Sequence, residues 1–298
     1  MSKIVLCISA NEATAARWSA GKLRAWQRFD ASNEGLDAFR AWLAPQRGNT
    51  AWITVDTPDE EYRLETVPHV SARQRFEMLE RKLQQLYRGS QFRAGGAVRS
   101  VRGKRREDQC LMAAYADERV LLPWIDALQR AGLLIAAIHP VPLLLVDMLR
   151  RARAAPDPVL LVMRWSGGIR QTVLSDNIPL LTRVTSIHDE TRVAQLAAEE
   201  IRGTREYLGA LGILSSDRTL PVFVLDPTLR LVDDPGPSLI RLAPLPVALA
   251  KSIGVAVADA PPGTRLQLIL LARHCSRINL APPALRAPLR RRNSARLI

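Results

Sequence analysis

The sequence predicts an α/β protein made of two halves that open in the same way. Each half begins with three short apolar segments joined by turns, at 4–8, 14–18 and 22–29 in the first half and at 159–164, 169–174 and 180–184 in the second. Short apolar runs bounded by turn residues are typical of strands. Helical spacing of apolar residues follows in both halves. The repeated opening indicates a duplicated fold.

After its opening, the first half alternates between helices and strands. A helix is expected at 71–87 because apolar residues recur at helical spacing behind Ser71, which can cap it. The other expected elements are helices at 34–43, 117–131 and 142–151, strands at 51–55, 62–67 and 133–138, and a hairpin of strands 92–101 and 109–116. The Pro-containing stretch 154–158 marks the boundary between the halves.

The second half continues with a long helix that Asp189 can cap and that ends near Gly212. A buried strand at 222–225 follows it. The chain then becomes rich in proline, and the expected elements are a strand at 239–242, a helix at 246–253 and a last apolar segment at 266–272.

The composition indicates a globular protein of the reducing cytosol. The chain has 298 residues, 47% of them hydrophobic, which is enough to bury a sizeable core. The three cysteines lie far apart, so neither a disulfide framework nor a zinc site is expected. The N-terminal segment resembles a first strand more than a signal peptide, and no apolar run reaches the roughly 20 residues of a membrane span.

The positive charge is concentrated in two segments. Lys and Arg total 42 against 29 acidic residues, and residues 88–106 and 273–296 each hold seven basic residues and no acidic one. The basic residues of interest are Arg99, Arg102, Lys104, Arg105 and Arg106 at the expected hairpin tip, and Arg290, Arg291 and Arg292 in the tail. Neither segment has the interleaved aromatic side chains that stack on single-stranded nucleic acid, so no nucleic-acid partner is expected. The Pro-interrupted tail fits a position near anionic lipid headgroups better.

Four segments, at 3–9, 137–145, 176–183 and 199–208, resemble in their order and spacing one known family. This family comprises the actin-like proteins of type IV pilus and type II secretion inner-membrane platforms, PilM and the cytoplasmic part of the secretion L protein. The resemblance implies an actin-like, ribonuclease H-like duplicated ATPase fold with a small inserted subdomain at about 61–116. The implied domains are 1–155 and 156–275, followed by a basic tail, 276–298.

The tail carries a further resemblance. Its residues Arg277, Ile278, Asn279, Leu280, Pro282 and Pro283 are similar to the short Asn-Leu motif that precedes the membrane helix in PilM's pilus partner. The resemblance implies that they form a docking peptide, used within the chain or on a neighbouring copy, with Ala281 in place of the usual Leu. The basic residues at 290–296 are also what precedes a membrane helix on the cytosolic side, so the native chain is expected to continue into one.

The resemblance also identifies where an ATP site would lie, and the residues there argue against one. The family's first Asp and its following Gly correspond to Cys7 and Ser9, and the second pair corresponds to Met163 and Trp165. A thiol, a thioether and an indole do not hold the hard Mg²⁺ ion that phosphoryl transfer needs. The four histidines, His69, His139, His188 and His274, are dispersed and are expected to be structural. No catalytic residue, cofactor or metal is therefore expected.

The expected function is that of a non-catalytic scaffold at the cytoplasmic face of the inner membrane, linking platform proteins of a pilus or secretion machine to its motor ATPase. Self-association through 277–283 is a further expectation. One alternative is an ATP-binding assembly factor with Mg²⁺, in which Asp30, Asp56, Asp176 and Asp226 converge in the cleft. A third reading, a basic nucleic-acid-binding protein, predicts affinity that falls steeply with salt.

Overall fold

The computed structural model of the chain describes residues 2–102, 106–152, 156–165, 168–226, 229, 231, 240–242, 264–273 and 276–295. The chain forms two compact units, of which unit 1 comprises 1–144 and 274–298 and unit 2 comprises 145–273. The helix expected at 246–253 and most of the turn expected at 166–168 lie outside the described residues.

Unit 1 contains a five-stranded mixed sheet and a smaller inserted sheet. Its strands are β1 (Lys3–Ile8), β2 (Glu12–Ser19), β3 (Lys22–Asp30), β4 (Thr50–Val55), β5 (Glu60–Pro68), β6 (Arg93–Arg102), β7 (Arg106–Tyr115) and β8 (Leu134–Pro140). Its helices are α1 (Asn33–Leu43), α2 (Ala72–Leu86) and α3 (Leu122–Arg130), with α4 (Val141–Ala152) leading into unit 2. The main sheet has the order β3-β2-β1-β4-β8, in which β4 and β8 run parallel to β1 and the opening hairpins are antiparallel.

An aromatic cluster holds α1 and α3 together beside the main sheet. The ring of Phe39 lies 5.1 Å from that of Phe29 and 5.2 Å from that of Trp124, both edge to face. Ser32 caps α1 by accepting a hydrogen bond from the Gly35 amide at 3.1 Å. The expected opening strands and this helix are therefore confirmed. Their apolar residues could be recognised in the sequence because they lie on the buried faces of β1 and α1.

The inserted sheet is antiparallel and has the order β5-β7-β6. Leu79 and Leu83 of α2 are buried against a cluster that includes Cys110 and Met112 of β7. Ser71 caps the start of α2, as expected, and it does so in a capping box with Gln74. The hairpin expected at 92–101 and 109–116 is confirmed as β6 and β7. A bulge between Ala97 and Arg99 shifts the pairing of its strands.

A buried carboxylate ties the elements of this insert together. Asp108 of β7 accepts hydrogen bonds from Ser100 Oγ at 2.6 Å and Arg75 Nη1 at 2.6 Å, and it lies 3.0 Å from His69 Nδ1. These contacts, that of Ser100 foremost, lower the pKa of Asp108 to about 2. The charged form of Asp108 is therefore favoured in the folded insert.

Unit 2 repeats the strand order of the main sheet of unit 1. Its elements are β9 (Val159–Trp165), β10 (Gly168–Ser175), β11 (Ile178–Ser186), α5 (Val193–Ala210), β12 (Leu220–Val224), β13 (Ile240–Leu242) and α6 (Thr264–Arg273). The sheet order is β11-β10-β9-β12-β13, with β12 parallel to β9 and the hairpins antiparallel. Asp176 and Asn177 both have positive φ in the turn between β10 and β11, which matches the expected two-residue hairpin.

Two expected helix starts were wrong, and the tail is more regular than expected. Asp117 and Asp189 each cap a single 3₁₀ turn, at Glu118–Val120 and Glu190–Arg192, and the α-helices begin only after these turns. Pro123 lies at the start of α3, where a missing N–H costs nothing. The expected Pro-interrupted tail is instead a helix, α7 (Pro283–Ala295), which accommodates Pro288 in its interior.

No helix among the described residues is long and apolar enough to cross a membrane.

Candidate functional site

The first of the two positions at which the family resemblance would locate an ATP site lies at the end of β1. Cys7 is a buried thiol within the strand, flanked in register by Thr14 and Thr54. The amide and the hydroxyl of Ser9 both donate to the carbonyl oxygen of Glu12, at 2.9 and 3.1 Å, and so close the turn into β2. Neither side chain supplies the carboxylate that a metal-bound phosphate requires.

The second position lies on β9 of unit 2. Met163 is fully buried and pairs with Arg170, and Trp165 pairs through its backbone with Gly168. The side chain of Trp165 is outside what the structure describes. The thioether of Met163 points into packed protein, so this position offers no hard oxygen ligand.

The four carboxylates of the ATP-binding alternative do not lie at equivalent places. In unit 1, Asp30 is the last residue of β3 and Asp56 follows β4. Both lie at the end of the sheet where β1 finishes. In unit 2, Asp226 follows β12 at the end of the sheet where β9 finishes, whereas Asp176 lies in the turn beside the start of β9. A seven-residue strand separates these two ends by about 20 Å, so Asp176 and Asp226 do not converge.

The described residues include no group of three or more His, Cys, Asp or Glu side chains that could hold a metal ion.

The residues of the Asn-Leu motif pack along the free edge of β8. The side-chain oxygen of Asn279 accepts a hydrogen bond from the Ile138 amide at 3.0 Å, and its side-chain nitrogen donates to the Ala136 carbonyl at 3.1 Å. The Leu280 amide then donates to the Ile138 carbonyl at 2.9 Å. Three outward-facing backbone groups of an edge strand are thereby satisfied by two residues.

An asparagine suits this place because its amide carries a donor and an acceptor with the geometry of a peptide group. The same side-chain oxygen also accepts from the Ala281 amide at 3.0 Å, which fixes the turn that follows. Asn279 therefore acts as one unit of a strand while the chain itself turns away into α7.

Apolar side chains complete the contact. Ile278, Leu280 and Ala281 are all buried, with Leu280 fully so. Arg277 is exposed, Pro282 is half-buried, and Pro283 begins α7. Of the six residues expected to form a docking peptide, the structure thus brings Ile278, Asn279 and Leu280 into a groove formed by the outer edge of β8, from Ala136 to His139, and by Gly96 of β6.

Two residues of this groove were not identified from the sequence as functional. His139 of β8 is fully buried, and its Nδ1 lies 3.1 Å from the carbonyl oxygen of Ile278. Gly96 of β6 lies opposite the Ile278 side chain, where an added Cβ would be 3.3 Å from Cγ1. Neither is near the motif in sequence, and an isolated histidine or glycine carries no signal that predicts a partner.

The basic residues of the tail and of the hairpin differ in their exposure and in their hydrogen bonds. Arg290 and Arg291 of α7 are exposed, and Arg292 donates to the Gly48 carbonyl at 2.6 Å. Burial, and then the charge of Arg290, lower the pKa of Arg286, with Glu80 of α2 acting in the opposite sense. In the hairpin, Arg99 donates to the side chain of Gln109 and Arg106 is exposed. Lys104, Arg105 and the Arg102 side chain lie outside the described residues.

Two five-stranded mixed sheets of the same strand order, with an antiparallel insert in the first unit, define the actin-like ATPase fold. The expected fold class is therefore confirmed. The chain is similar in structure to the cytoplasmic domain of EpsL, an inner-membrane component of the type II secretion system of Vibrio cholerae. The two are 15% identical over 96% of this chain and 100% of that one, with a TM-score of 0.51.

The chain is also similar to the solved PilM-PilN type IV pilus biogenesis complex, with 13% identity over 91% of this chain and 98% of that one and a TM-score of 0.58. No protein-family model matches the sequence, and no curated protein matches it either. The likeness to both structures over more than nine-tenths of the chain establishes the fold that the four sequence segments predicted.

Proposed function

We propose that this chain is a non-catalytic, actin-like scaffold at the cytoplasmic face of an inner-membrane platform, in a pilus or secretion machine, and that residues 277–283 are its peptide-docking motif. In the proposal, the free edge of β8 is a docking site for an Ile-Asn-Leu segment. The chain's own segment fills this site, and a second copy or a platform partner uses the same chemistry.

One observation carries this proposal: Asn279 pairs through its side-chain amide with both Ala136 and Ile138 of β8. Peptide recognition at a sheet edge derives its affinity from main-chain hydrogen bonds and its specificity from pockets for particular side chains. The buried Leu280 supplies such a side chain. A segment that only filled space would not need its polar residue aimed at the strand.

The fold likeness supports the same reading. The PilM structure to which this chain is similar was solved as a complex with PilN, and EpsL is described as an inner-membrane component of a secretion system. At these identities the likeness concerns the fold, so the partners of this chain are proposed from it together with the docking geometry.

The proposed absence of catalysis rests on Cys7 and Met163. Both are buried, and their side chains end in a thiol and a thioether, which offer no oxygen ligand for Mg²⁺. Calorimetric titration of the full chain with ATP and Mg²⁺ tests it, with a Met163→Asp and Trp165→Gly double variant beside the parent. We expect no heat of binding from the parent. Saturable binding by the parent would overturn this part of the proposal in favour of a nucleotide-switched assembly factor.

The docking proposal is tested with a labelled peptide of residues 276–283 and the full-length chain. The Asn279→Ala variant leaves its own segment weakly held, so its β8 edge is expected to bind the peptide with a Kd in the micromolar range. The parent, whose edge is occupied, is expected to bind it much more weakly. Asn293→Ala, a change at an exposed asparagine of α7, is the matched control and should behave as the parent does.

Failure of the Asn279→Ala variant to bind the peptide, with its fold intact by circular dichroism, would contradict the docking proposal. A peptide carrying Asn279→Asp should also fail to bind, because a carboxylate cannot donate to the Ala136 carbonyl.

A further inference from the structure

The docked segment contacts two different sheets of unit 1, and Ile278 is the residue that contacts both. Its carbonyl faces His139 of β8, in the main sheet. Its side chain faces Gly96 of β6, in the inserted sheet. The residue before the asparagine is therefore enclosed from two sides, and the chemistry on each side limits what can stand there.

At Gly96 the close approach of Ile278, and not the backbone conformation, disfavours a larger residue. Its φ lies outside the left-handed region, so any residue could adopt the backbone of β6 here. A Cβ at Gly96 would, however, meet Ile278 Cγ1 at 3.3 Å and Cδ1 at 3.9 Å. A glycine inside a strand often marks a place where another chain segment comes close.

The neighbouring Gly95 provides an internal comparison. A Cβ there would lie 3.2 Å from Met112 Cγ and 3.7 Å from Leu79 Cδ1, on the face that packs against α2. Successive residues of a strand point to opposite faces. Gly95 therefore serves the packing of the insert itself, and only Gly96 faces the docked segment.

His139 fixes the backbone of the same residue. A carbonyl oxygen can only accept, so the proton of this hydrogen bond lies on Nδ1 of His139, which donates to Ile278. The carbonyl of His139 accepts from Thr54 Oγ1 at 2.8 Å, and the ring lies 6.4 Å from that of Trp52. Thr54 therefore holds the backbone of His139, and the imidazole lies between Trp52 and the docked segment.

We propose that Gly96 and His139 determine which peptides dock on β8: Gly96 leaves room for a branched apolar side chain immediately before the asparagine, and His139 holds the carbonyl of that same residue. The proposal rests on the docking function above and specifies its partner, a segment with an Ile-like residue, then Asn, then Leu. Sequence recognition at this site thus begins one residue before the asparagine.

The test measures fluorescence anisotropy of the labelled 276–283 peptide on the full chain carrying Asn279→Ala. Adding Gly96→Ala is expected to weaken binding about tenfold, because the new methyl group and Ile278 cannot both keep their places. Adding Gly95→Ala instead is the matched control, and it should change affinity less than about twofold even where it loosens the insert.

A peptide with Ile278→Ala completes a double-mutant cycle without further change to the protein. Its affinity should fall about tenfold for the chain that keeps Gly96 but only about twofold for the chain that also carries Gly96→Ala. The two losses should differ because Ile278 and residue 96 are in contact. Additive losses, or equal effects of Gly96→Ala and Gly95→Ala, would overturn the role of Gly96.

The role of His139 is tested with two substitutions in the same chain. Peptide affinity is expected to fall about tenfold with His139→Leu. It should fall only about threefold with His139→Asn, because the side-chain nitrogen of Asn can take the place of Nδ1 as the donor. Equal affinity of the His139→Leu and His139→Asn chains would overturn the role of the imidazole donor, and the peptide cycle remains informative where His139→Leu fails to fold. If no chain binds any peptide, the docking function fails; if all bind alike, only the present inference fails.

Discussion

The two five-stranded sheets share one strand order but end differently. In unit 1 the last strand, β8, spans Leu134–Pro140, and the segment around Asn279 satisfies its outer edge. In unit 2 the described part of the corresponding strand, β13, is Ile240–Leu242. Exposed edge strands invite pairing with other chains, and a covering segment is one way to prevent it.

Under the docking proposal, the binding site belongs to the last strand of unit 1, where the described residues show a segment seated along the outer edge of β8. A long edge strand is a hazard when bare and a recognition surface when a segment of defined chemistry fits it. The described part of unit 2 has no edge of comparable length at this place. Changes that uncover β8, and changes confined to unit 2, should therefore have different consequences.

The largest effect is expected from Leu280→Asp, which places a carboxylate at a side chain that is 0% exposed. Docking should be lost, at a cost of about 3 kcal/mol or more, since a buried unpaired charge is not tolerated. The bared β8 edge should then drive self-association, measured by light scattering. Leu211→Asp, at a side chain that is 54% exposed in unit 2, is the control. A Leu280→Asp chain that stays monomeric, with the Ile138 amide still protected from exchange, would break the comparison.

Leu208→Ala tests whether the units are separate in stability. Leu208 of α5 is fully buried in the core of unit 2, so its truncation should cost about 2–5 kcal/mol. Hydrogen exchange should show faster opening in β9 to β12 and unchanged protection in β1 and β4. Leu211→Ala, at the exposed end of the same region, should change stability by less than about 0.5 kcal/mol. Equal loss of protection in both units would mean that the sheets unfold together.

The insert should be the acid-sensitive part of unit 1. Because the folded insert lowers the pKa of Asp108 to about 2, its charge stabilises the fold at pH values above the ordinary aspartate pKa of about 4. That stabilisation is lost as the pH falls from about 4 to about 2. Pepsin cleavage within β6 and β7 should rise over this range in the parent and be high throughout in Asp108→Asn. Asp126→Asn, in an exposed pair of α3, should retain the parent's profile.

The smallest effect is expected at the start of α2. Ser71→Ala removes the capping box and should destabilise the insert by about 1 kcal/mol, read from the thermal midpoint of the full chain. Ser71→Asp keeps an acceptor for the Gln74 amide and should restore most of the loss. Equal midpoints for the Ala and Asp variants would show that the cap does not limit the stability of this helix.

Local sequence signals predicted most of the fold because the elements are stabilised locally. The Asp176-Asn177 turn sets the hairpin of β10 and β11, and the Ser71 cap sets α2. Helix starts were misplaced at Asp117 and Asp189 because each Asp caps a 3₁₀ turn, and a capping residue looks the same before either kind of helix.

Of the proposed docking site, the sequence predicted only the peptide side. Asn279 was identifiable through a family resemblance, but its receptor consists of backbone groups of Ala136 and Ile138, which any sequence carries. His139 lies 139 residues from Ile278 in the chain, and only the parallel placement of β8 beside β4 leaves that edge open for the segment. Long-range placement of this kind is a property of topology and is not encoded in a local pattern.

The covalent link between the motif and its own groove has a consequence for any competitor. A tethered segment experiences its site at an effective concentration on the order of 1 mM. An identical peptide on another protein, present at about 10 µM, is therefore outnumbered by a factor of roughly one hundred at the β8 edge. Under the docking proposal, a partner displaces Asn279 and Leu280 only by binding more tightly, by adding contacts elsewhere, or by being held close to the chain in an assembly. The tethered segment would therefore exclude weak or dilute ligands from the β8 edge. A neighbour assembled alongside the chain would have a high effective concentration of its own and could compete.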